Sequence, residues 1–350
     1  MIAKENYTIE HIRLLQNESR KDPGLIERAL FAFGLLEALA SVGLEFTFKG
    51  GTSLMLLLPR PMRLSTDIDI VVKPGTNVDA YIKKAGSIFP FINCTEQERK
   101  KQGELEKRHY KFVYNSPIRK ENTLFILLDV LFEENHYEHL IQKEISNDLL
   151  ITEGENLKVT TPSIDCLLGD KLTAFAPHTT GVPLGTDKDM EIMKQFYDVS
   201  ILIDEFKDFN CVSNTYYAIS KTEIRYRGND IKPSDALLDT INAAMCIGSR
   251  GKVQPEDFPS YLKGSRDVLN FIYEPGFSME KASRLAPKVL YMAACLLAQT
   301  PYTKITDGDS YRKEEIMNQD LKKLKVIRKA DPIAYGYLIS ADRLLQQFYT

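Results

Sequence analysis

Five cysteines, Cys94, Cys166, Cys211, Cys246 and Cys295, are scattered through the 350 residues, and no two stand close in sequence. Such spacing excludes a disulfide framework and a zinc knuckle, and it suits a reducing compartment. Long hydrophobic runs are missing as well. The longest, near residues 53–58 and 289–298, are far too short to cross a bilayer. The opening residues, Met1 to Asn6, are polar and lack the apolar core of a secretory signal. A soluble, cytoplasmic protein with no membrane partner is therefore expected. Nor is there a large excess of one charge: 45 Lys and Arg stand against 48 Asp and Glu, for a formal net charge of −3. That balance excludes a protein that coats nucleic acid by charge alone. Basic stretches do occur at Arg99–Lys101, Lys107–Arg108, Lys322–Lys325 and Arg328–Lys329, and each taken singly reads as a solvated face.

What is present is enough to fold. Hydrophobic residues make up 43% of the chain and charged ones 27%, so real cores can be buried. Apolar residues at helical spacing predict a helix over 24–42, stopped by Gly43. A strand over 45–49 leads into Gly50-Gly51-Thr52-Ser53, followed by a short helix over 54–58 and a strand over 66–72. A helix over 78–87 comes next, then strands over 107–114 and 123–132. The second of these is apolar on both faces and reads as a central strand. Helices are predicted over 163–175 and 188–203, separated by a polar loop. Beyond about residue 205 strand signals fade, and helices are predicted over 234–248, 259–272, 278–299, 313–329 and 332–348. The class expected is α+β: a mixed sheet flanked by helices over residues 1–204, then an all-helical domain over 205–350.

Three acids stand out. Asp67 and Asp69 are two apart on a predicted strand, so both point to one face while Ile68 and Ile70 point to the other. Like charges side by side repel, and a cation between them relieves it. Hard carboxylate oxygens suit magnesium, with manganese as an alternative, bridging to substrate phosphates. Asp129 is the single charge within the apolar run 123–132, where an unpaired carboxylate is costly. A neighbouring strand beside Asp67 and Asp69 would explain it and complete a three-carboxylate metal site; a strand end reaching solvent or a lysine is the bland alternative. The turn Lys49 to Ser53 supplies the phosphate half. Its glycines permit close backbone approach, and Thr52 or Ser53 falls at a helix N-terminus that favours an anion. His136 and His139 form a possible metal pair, but with no third ligand at a recognisable spacing they read better as a surface loop. Tyr110, Tyr114, Tyr216 and Tyr217 have faces that suit base stacking, although tyrosines more often fill cores.

The two halves in register, Phe48-Lys49-Gly50-Gly51-Thr52-Ser53-Leu54 and Arg63-Leu64-Ser65-Thr66-Asp67-Ile68-Asp69-Ile70, resemble the signature of the AbiEii/AbiGii toxin nucleotidyltransferases. That family belongs to the DNA-polymerase-beta-like nucleotidyltransferase superfamily. Gly169-Asp170-Lys171-Leu172 and Phe196-Tyr197-Asp198 continue the resemblance, which spans roughly residues 24–204. It implies that Ser53 holds phosphate, that Asp67 and Asp69 bind metal with Asp129 as a third carboxylate, and that Ser65 lies in the active site. It further implies that Lys171 contacts the triphosphate and that Asp198 positions Lys171 or the nucleophile. One departure stands in the last motif, where Gln195 occupies a place the family usually fills with an acid. Read without the resemblance, Lys171 is a lysine snorkelling from an amphipathic helix.

The function expected is transfer of a nucleoside monophosphate from a nucleoside triphosphate to an acceptor hydroxyl. By resemblance, the acceptor is a tRNA end or other RNA, and a separately encoded antitoxin is the partner. The alternatives are a transferase acting on a small molecule or a protein, and a nucleotide-binding module that has lost catalysis.

Overall fold

A computed structural model describes residues 1–97, 106–119, 121–228, 230–273 and 275–348. The basic stretch Arg99–Lys101 lies outside the described residues. Packing divides the chain into two units, Met1–Ser163 with Asn270–Pro275, and Ile164–Leu269 with Gly276–Thr350.

The first unit opens with a 3-10 turn and helices α1 (Ile9–Ser19) and α2 (Pro23–Ser41). Asp22 caps α2 by accepting the Leu25 N–H, and Pro23 fills the first helical position, where no N–H is needed. Then follow β1 (Thr47–Lys49), α3 (Gly50–Leu57), β2 (Ile68–Val72), α4 (Asp79–Ala85), β3 (Phe91–Glu96), β4 (Lys107–Asn115), β5 (Thr123–Phe132), β6 (Leu140–Glu144) and β7 (Lys158–Pro162). The strands form one sheet in the order β3-β4-β5-β2-β1-β7-β6. The pairs β2–β5 and β1–β7 are parallel and the other neighbours antiparallel, so the sheet is mixed, as expected.

Alternation along each strand separates two faces. Phe48, Ile68, Ile70, Ile126, Leu128 and Val130 join Ile26, Leu30 and Leu36 of α2 in one core. Burying each such side chain contributes about 1.5–3 kcal/mol. Leu127, Asp129 and Leu131 of β5 face the other way and are only half buried. A later segment closes the loop ahead of β2: the Leu64 N–H donates to the Phe271 carbonyl and the Tyr273 N–H to that of Met62.

The expected central strand 123–132 is β5, third of the seven and paired on both sides. Other boundaries move by a few residues. Within this unit the short helix moves most, starting at Gly50 instead of Leu54. Helix α1 and strands β3, β6 and β7 were not legible. Both β3 and β6 are edge strands with mostly exposed side chains, so neither carries the alternation that marks a half-buried strand.

The second unit comprises α5 (Ile164–Ala174), α6 (Asp189–Glu205), α7 (Phe209–Arg227), α8 (Pro233–Ser249), α9 (Phe258–Asp267), α10 (Met279–Leu297), α11 (Ile327–Ala330) and α12 (Pro332–Leu345). Helices α8 and α12 pack on α10, α5 on α7, and α6 on α9. Because α5 and α6 pack within this helical set, the units part at Ser163, whereas the loss of strand signals drew a boundary at residue 204. Among the described residues, no helix is long and apolar enough to cross a membrane.

Two readings of the helical region need correction. Residues 209–227 form a helix that poor helix formers concealed; Asp208 caps it and Gly228, at φ +63°, ends it. The helix predicted over 313–329 is instead a loop with a 3-10 turn at Leu321–Leu324 and the single turn α11. The buried Asp342 carboxylate accepts the Met317 and Asn318 N–H groups at 2.7 and 2.9 Å, and Asn318 Oδ1 accepts those of Asp320 and Leu321. Side-chain acceptors thus take the donors that a helix would have used.

Side chains also anchor the 177–187 loop. Asp239 Oδ2 accepts the His178 N–H and the Thr179 hydroxyl, each at 2.8 Å, and His178 Nε2 lies 2.6 Å from Asp257 Oδ2. The hydrogen bond to Asp257 raises the His178 pKa above its usual value. A raised folded-state pKa gives stability that is complete below the ordinary histidine value of about 6.5 and is lost as pH rises through the folded value. Thermal melts of the wild type and His178→Gln should therefore differ more at pH 6 than at pH 8.5, with the wild type the more stable; a gap that is constant or widens with pH would refute this.

Candidate active site

Strand register assembles the site in the first unit. Lys49 of β1 pairs with Asp69 of β2, Asp69 with Asp129 of β5, and Asp129 with His109 of β4. Partners in register share a face, so Lys49, Asp69, Asp129 and His109 form one row across four adjacent strands. Ile68 and Ile70 lie on the opposite face at 0% and 1% exposure. The structure therefore brings Asp69 and Asp129 side by side, and Asp67, just ahead of β2, is exposed. At the ends of the row, Lys49 Nζ lies 5.5 Å from the centre of the Tyr137 ring, and His109 Nδ1 lies 2.7 Å from Asp129 Oδ1.

The glycine turn lies against this row. Gly50 has φ +80°, and a Cβ there would come 2.1 Å from Asp69 Oδ2. A Cβ on Gly51 would come 2.6 Å from an Arg63 guanidinium nitrogen and 2.8 Å from Ser65 Oγ. No side chain fits at either position, because the Asp69 carboxylate and the Arg63–Ser65 loop occupy that space. The Thr52 hydroxyl donates to the Asp67 carbonyl at 2.6 Å and joins the helix to the strand entry. Ser53 is fully buried in the first turn of α3, where its hydroxyl donates to the Gly50 carbonyl at 2.8 Å. With α3 starting at Gly50, its first amides are those of Gly50, Gly51 and Thr52. These have no partner within the helix.

The acids can be tested against a divalent cation. Among the described residues, no group of three or more His, Cys, Asp or Glu side chains stands ready to hold a metal ion. The expected three-carboxylate cage is thus not preformed; what the sheet presents is the pair Asp69 and Asp129, with Asp67 at the strand entry. One or two carboxylates completed by substrate phosphates is how magnesium is commonly held, so the donor set fits that ion.

Two further expected site residues, Lys171 and Asp198, lie in the helical unit together with Gln195. Lys171 Nζ on α5 is 2.9 Å from Asp198 Oδ2 and 3.0 Å from Gln195 Oε1 on α6. Gln195 and Asp198, three apart on a helix, share one face. The pair is buried, with side-chain exposures of 8% and 2%, so Lys171 is not the exposed, snorkelling lysine of the bland reading. Gln195, the departure from the family pattern, serves as a second acceptor for Lys171.

The remaining candidates resolve simply. His136 lies 3.3 Å from Glu133, and His139 is 60% exposed beside Glu138, both in the loop after β5. Tyr110, Tyr114 and Tyr216 are core residues, and Tyr114 stacks on Phe31. Tyr217 is half buried and its hydroxyl donates to the Leu296 carbonyl. Arg108 pairs with Asp79 and Glu96, Lys323 with Asp320, and Arg328 with Glu315. Sequence reading missed His109, and it took the buried Arg63 as part of the signature without giving it a role. Nothing in the strand 107–114 marks His109 until register sets it beside Asp129.

A glycine turn packed against an acidic strand, with a second carboxylate in register, is a nucleotidyltransferase type of site. Residues 34–263 match the family described as "Nucleotidyl transferase AbiEii toxin, Type IV TA system", and the chain belongs to that family. The matched span contains all of these site residues. No curated protein matches the chain. A crystal structure of an antigenic nucleotidyltransferase-like protein from Paracoccidioides brasiliensis is similar at 15% identity, covering 58% of this chain and 94% of that one, with a TM-score of 0.36. Likeness at that level fixes neither fold nor function, and the assignment rests on the family match.

Removing one partner of a buried ion pair leaves the other charge uncompensated, at a cost of about 3–5 kcal/mol. Lys171→Met should destabilise the chain by that order in urea unfolding, whereas Gln195→Ala, which removes one hydrogen bond, should cost about 1 kcal/mol. A loss below that of Gln195→Ala for the lysine variant would show that Asp198 is satisfied without Lys171.

Proposed function

We propose that the protein transfers a nucleoside monophosphate from a nucleoside triphosphate to an acceptor hydroxyl, with RNA, and a tRNA end in particular, as acceptor. In this reading it is the toxin of a two-gene system whose separately encoded antitoxin opposes it. The observation that carries the chemistry is the register Asp69↔Asp129, with the Asp69 carboxylate lying over Gly50. Two acids held side by side on neighbouring strands form a site suited to a cation and to phosphate, and family membership supports nucleotide transfer as its use.

In the proposed reaction the triphosphate lies against the Gly50–Thr52 amides, whose orientation at a helix start favours an anion. Asp67, Asp69 and Asp129 would hold magnesium or manganese, which when bound neutralises charge developing on the phosphates. Asp129, the most displaced of the three along the sheet, accepts the proton of the acceptor hydroxyl. That oxygen bonds to the α-phosphorus as the bond to the β-phosphate oxygen breaks, and pyrophosphate leaves with the bonding electrons. In this reading Lys171, held by Asp198 and Gln195, keeps the triphosphate role that the family resemblance implies.

The test uses each α-labelled triphosphate with magnesium and total tRNA. Label is expected in tRNA with one or a few nucleotides and should be lost in Asp67→Ala and Asp69→Ala, as expected for removal of a group acting on the transition state. Label found only in a small molecule or in protein would replace the acceptor, and saturable nucleotide binding without transfer would leave a binding module. Induced expression should arrest bacterial growth in an Asp69-dependent way; harmless expression would remove the toxin role while leaving the chemistry open to the labelling assay.

A further inference from the structure

Asp129 has a bonding partner that the proposed chemistry does not use. His109 is its register partner on β4, and His109 Nδ1 lies 2.7 Å from Asp129 Oδ1. The His109 side chain is 14% exposed and that of Asp129 41%, so the histidine is the more enclosed member. An ionised carboxylate has no proton to give, so Nδ1 carries the hydrogen and donates it. Strand alternation decides which β4 residue can do this. Arg108, one position earlier, points to the other face and is held by Asp79 and Glu96.

We infer that His109 is the positioning residue of the site: it fixes Asp129 Oδ1 and leaves Oδ2 as the oxygen that meets a divalent cation. This rests on the proposed metal-dependent reading of the same site. The physical need is clear from the register. Two carboxylates in adjacent, paired positions repel, and without a restraint Asp129 would rotate away from Asp69. A donor on the far side of Asp129 from Asp69 pins it in place. An imidazole does so through one directed N–H held by its strand position. Hydrogen-bond donors to ligating groups act in this way at metal sites, and their loss typically costs about 10–100-fold in metal affinity.

The test is a Mn2+ titration of the full chain without nucleotide, followed by electron paramagnetic resonance, on the wild type, His109→Ala, His109→Asn and Asp69→Ala. Asparagine keeps an N–H donor near the position of Nδ1. His109→Ala should weaken Mn2+ binding by about 10-fold, and His109→Asn should recover most of that loss. In the transfer assay, the alanine variant should need more metal for half-maximal rate, with KM for the triphosphate unchanged at saturating metal. Wild-type Mn2+ affinity in His109→Ala, or equal weakness of the alanine and asparagine variants, would overturn the inference. If the wild type binds Mn2+ through Asp69 yet transfers no label, the transfer reading fails while the titration still decides His109. Absence of wild-type Mn2+ binding would overturn the inference about His109 and leave the transfer reading to the labelling assay.

Discussion

The constraint from which the first unit is best understood is electrostatic: Asp69 and Asp129 are held side by side in a parallel strand pair. A sheet built only for stability avoids like charges at paired positions, where they oppose each other at close range. The surrounding residues read as the means of tolerating that pair. Gly50 and Gly51 give up their side chains so that the Asp69 carboxylate and the Arg63–Ser65 loop can lie against the turn. Lys49 stands beside Asp69 and His109 beside Asp129, so the acids are flanked at both ends of the row. The opposite face is apolar and buried against α2, which fixes the strands that fix the acids. Rigidity behind the site and openness in front of it follow from the same alternation.

Much of this was legible because it is local. Asp69, between Ile68 and Ile70, must face away from them on a strand, and a lone acid in an apolar run must have a reason to be there; Asp67 stands just ahead of β2, outside that alternation. The class α+β, the central strand and the glycine turn all followed from short-range pattern. What was not legible is long-range. His109 and Asp129 are twenty residues apart, and only the β4–β5 register makes them neighbours. Edge strands β3 and β6 carry little burial and so little pattern. The predicted helix over 313–329 failed for a related reason: the acceptor that unwinds its backbone, Asp342, lies on another helix. Ser53 was misjudged by one helical turn, because a Gly-Gly pair reads as a turn ahead of a helix when it is in fact the helix start.

The helical unit treats charge differently. On the sheet, acids are kept half exposed and close together; on α5 and α6, opposite charges are buried in contact. Burial raises the electrostatic stakes, since each ion loses its water and must recover the loss from its partner. Lys171 meets this with a carboxylate and an amide on one helix face.

The identity of that amide follows from charge balance. Lys171 and Asp198 together are neutral, and an uncharged acceptor at position 195 completes the hydrogen bonding without changing the sum. An acid at position 195, which is half buried, would set a second negative charge beside the one lysine. Gln195 therefore serves Lys171 as a neutral acceptor beside the Asp198 carboxylate. The departure from the family pattern is thus a local change in how one lysine is held.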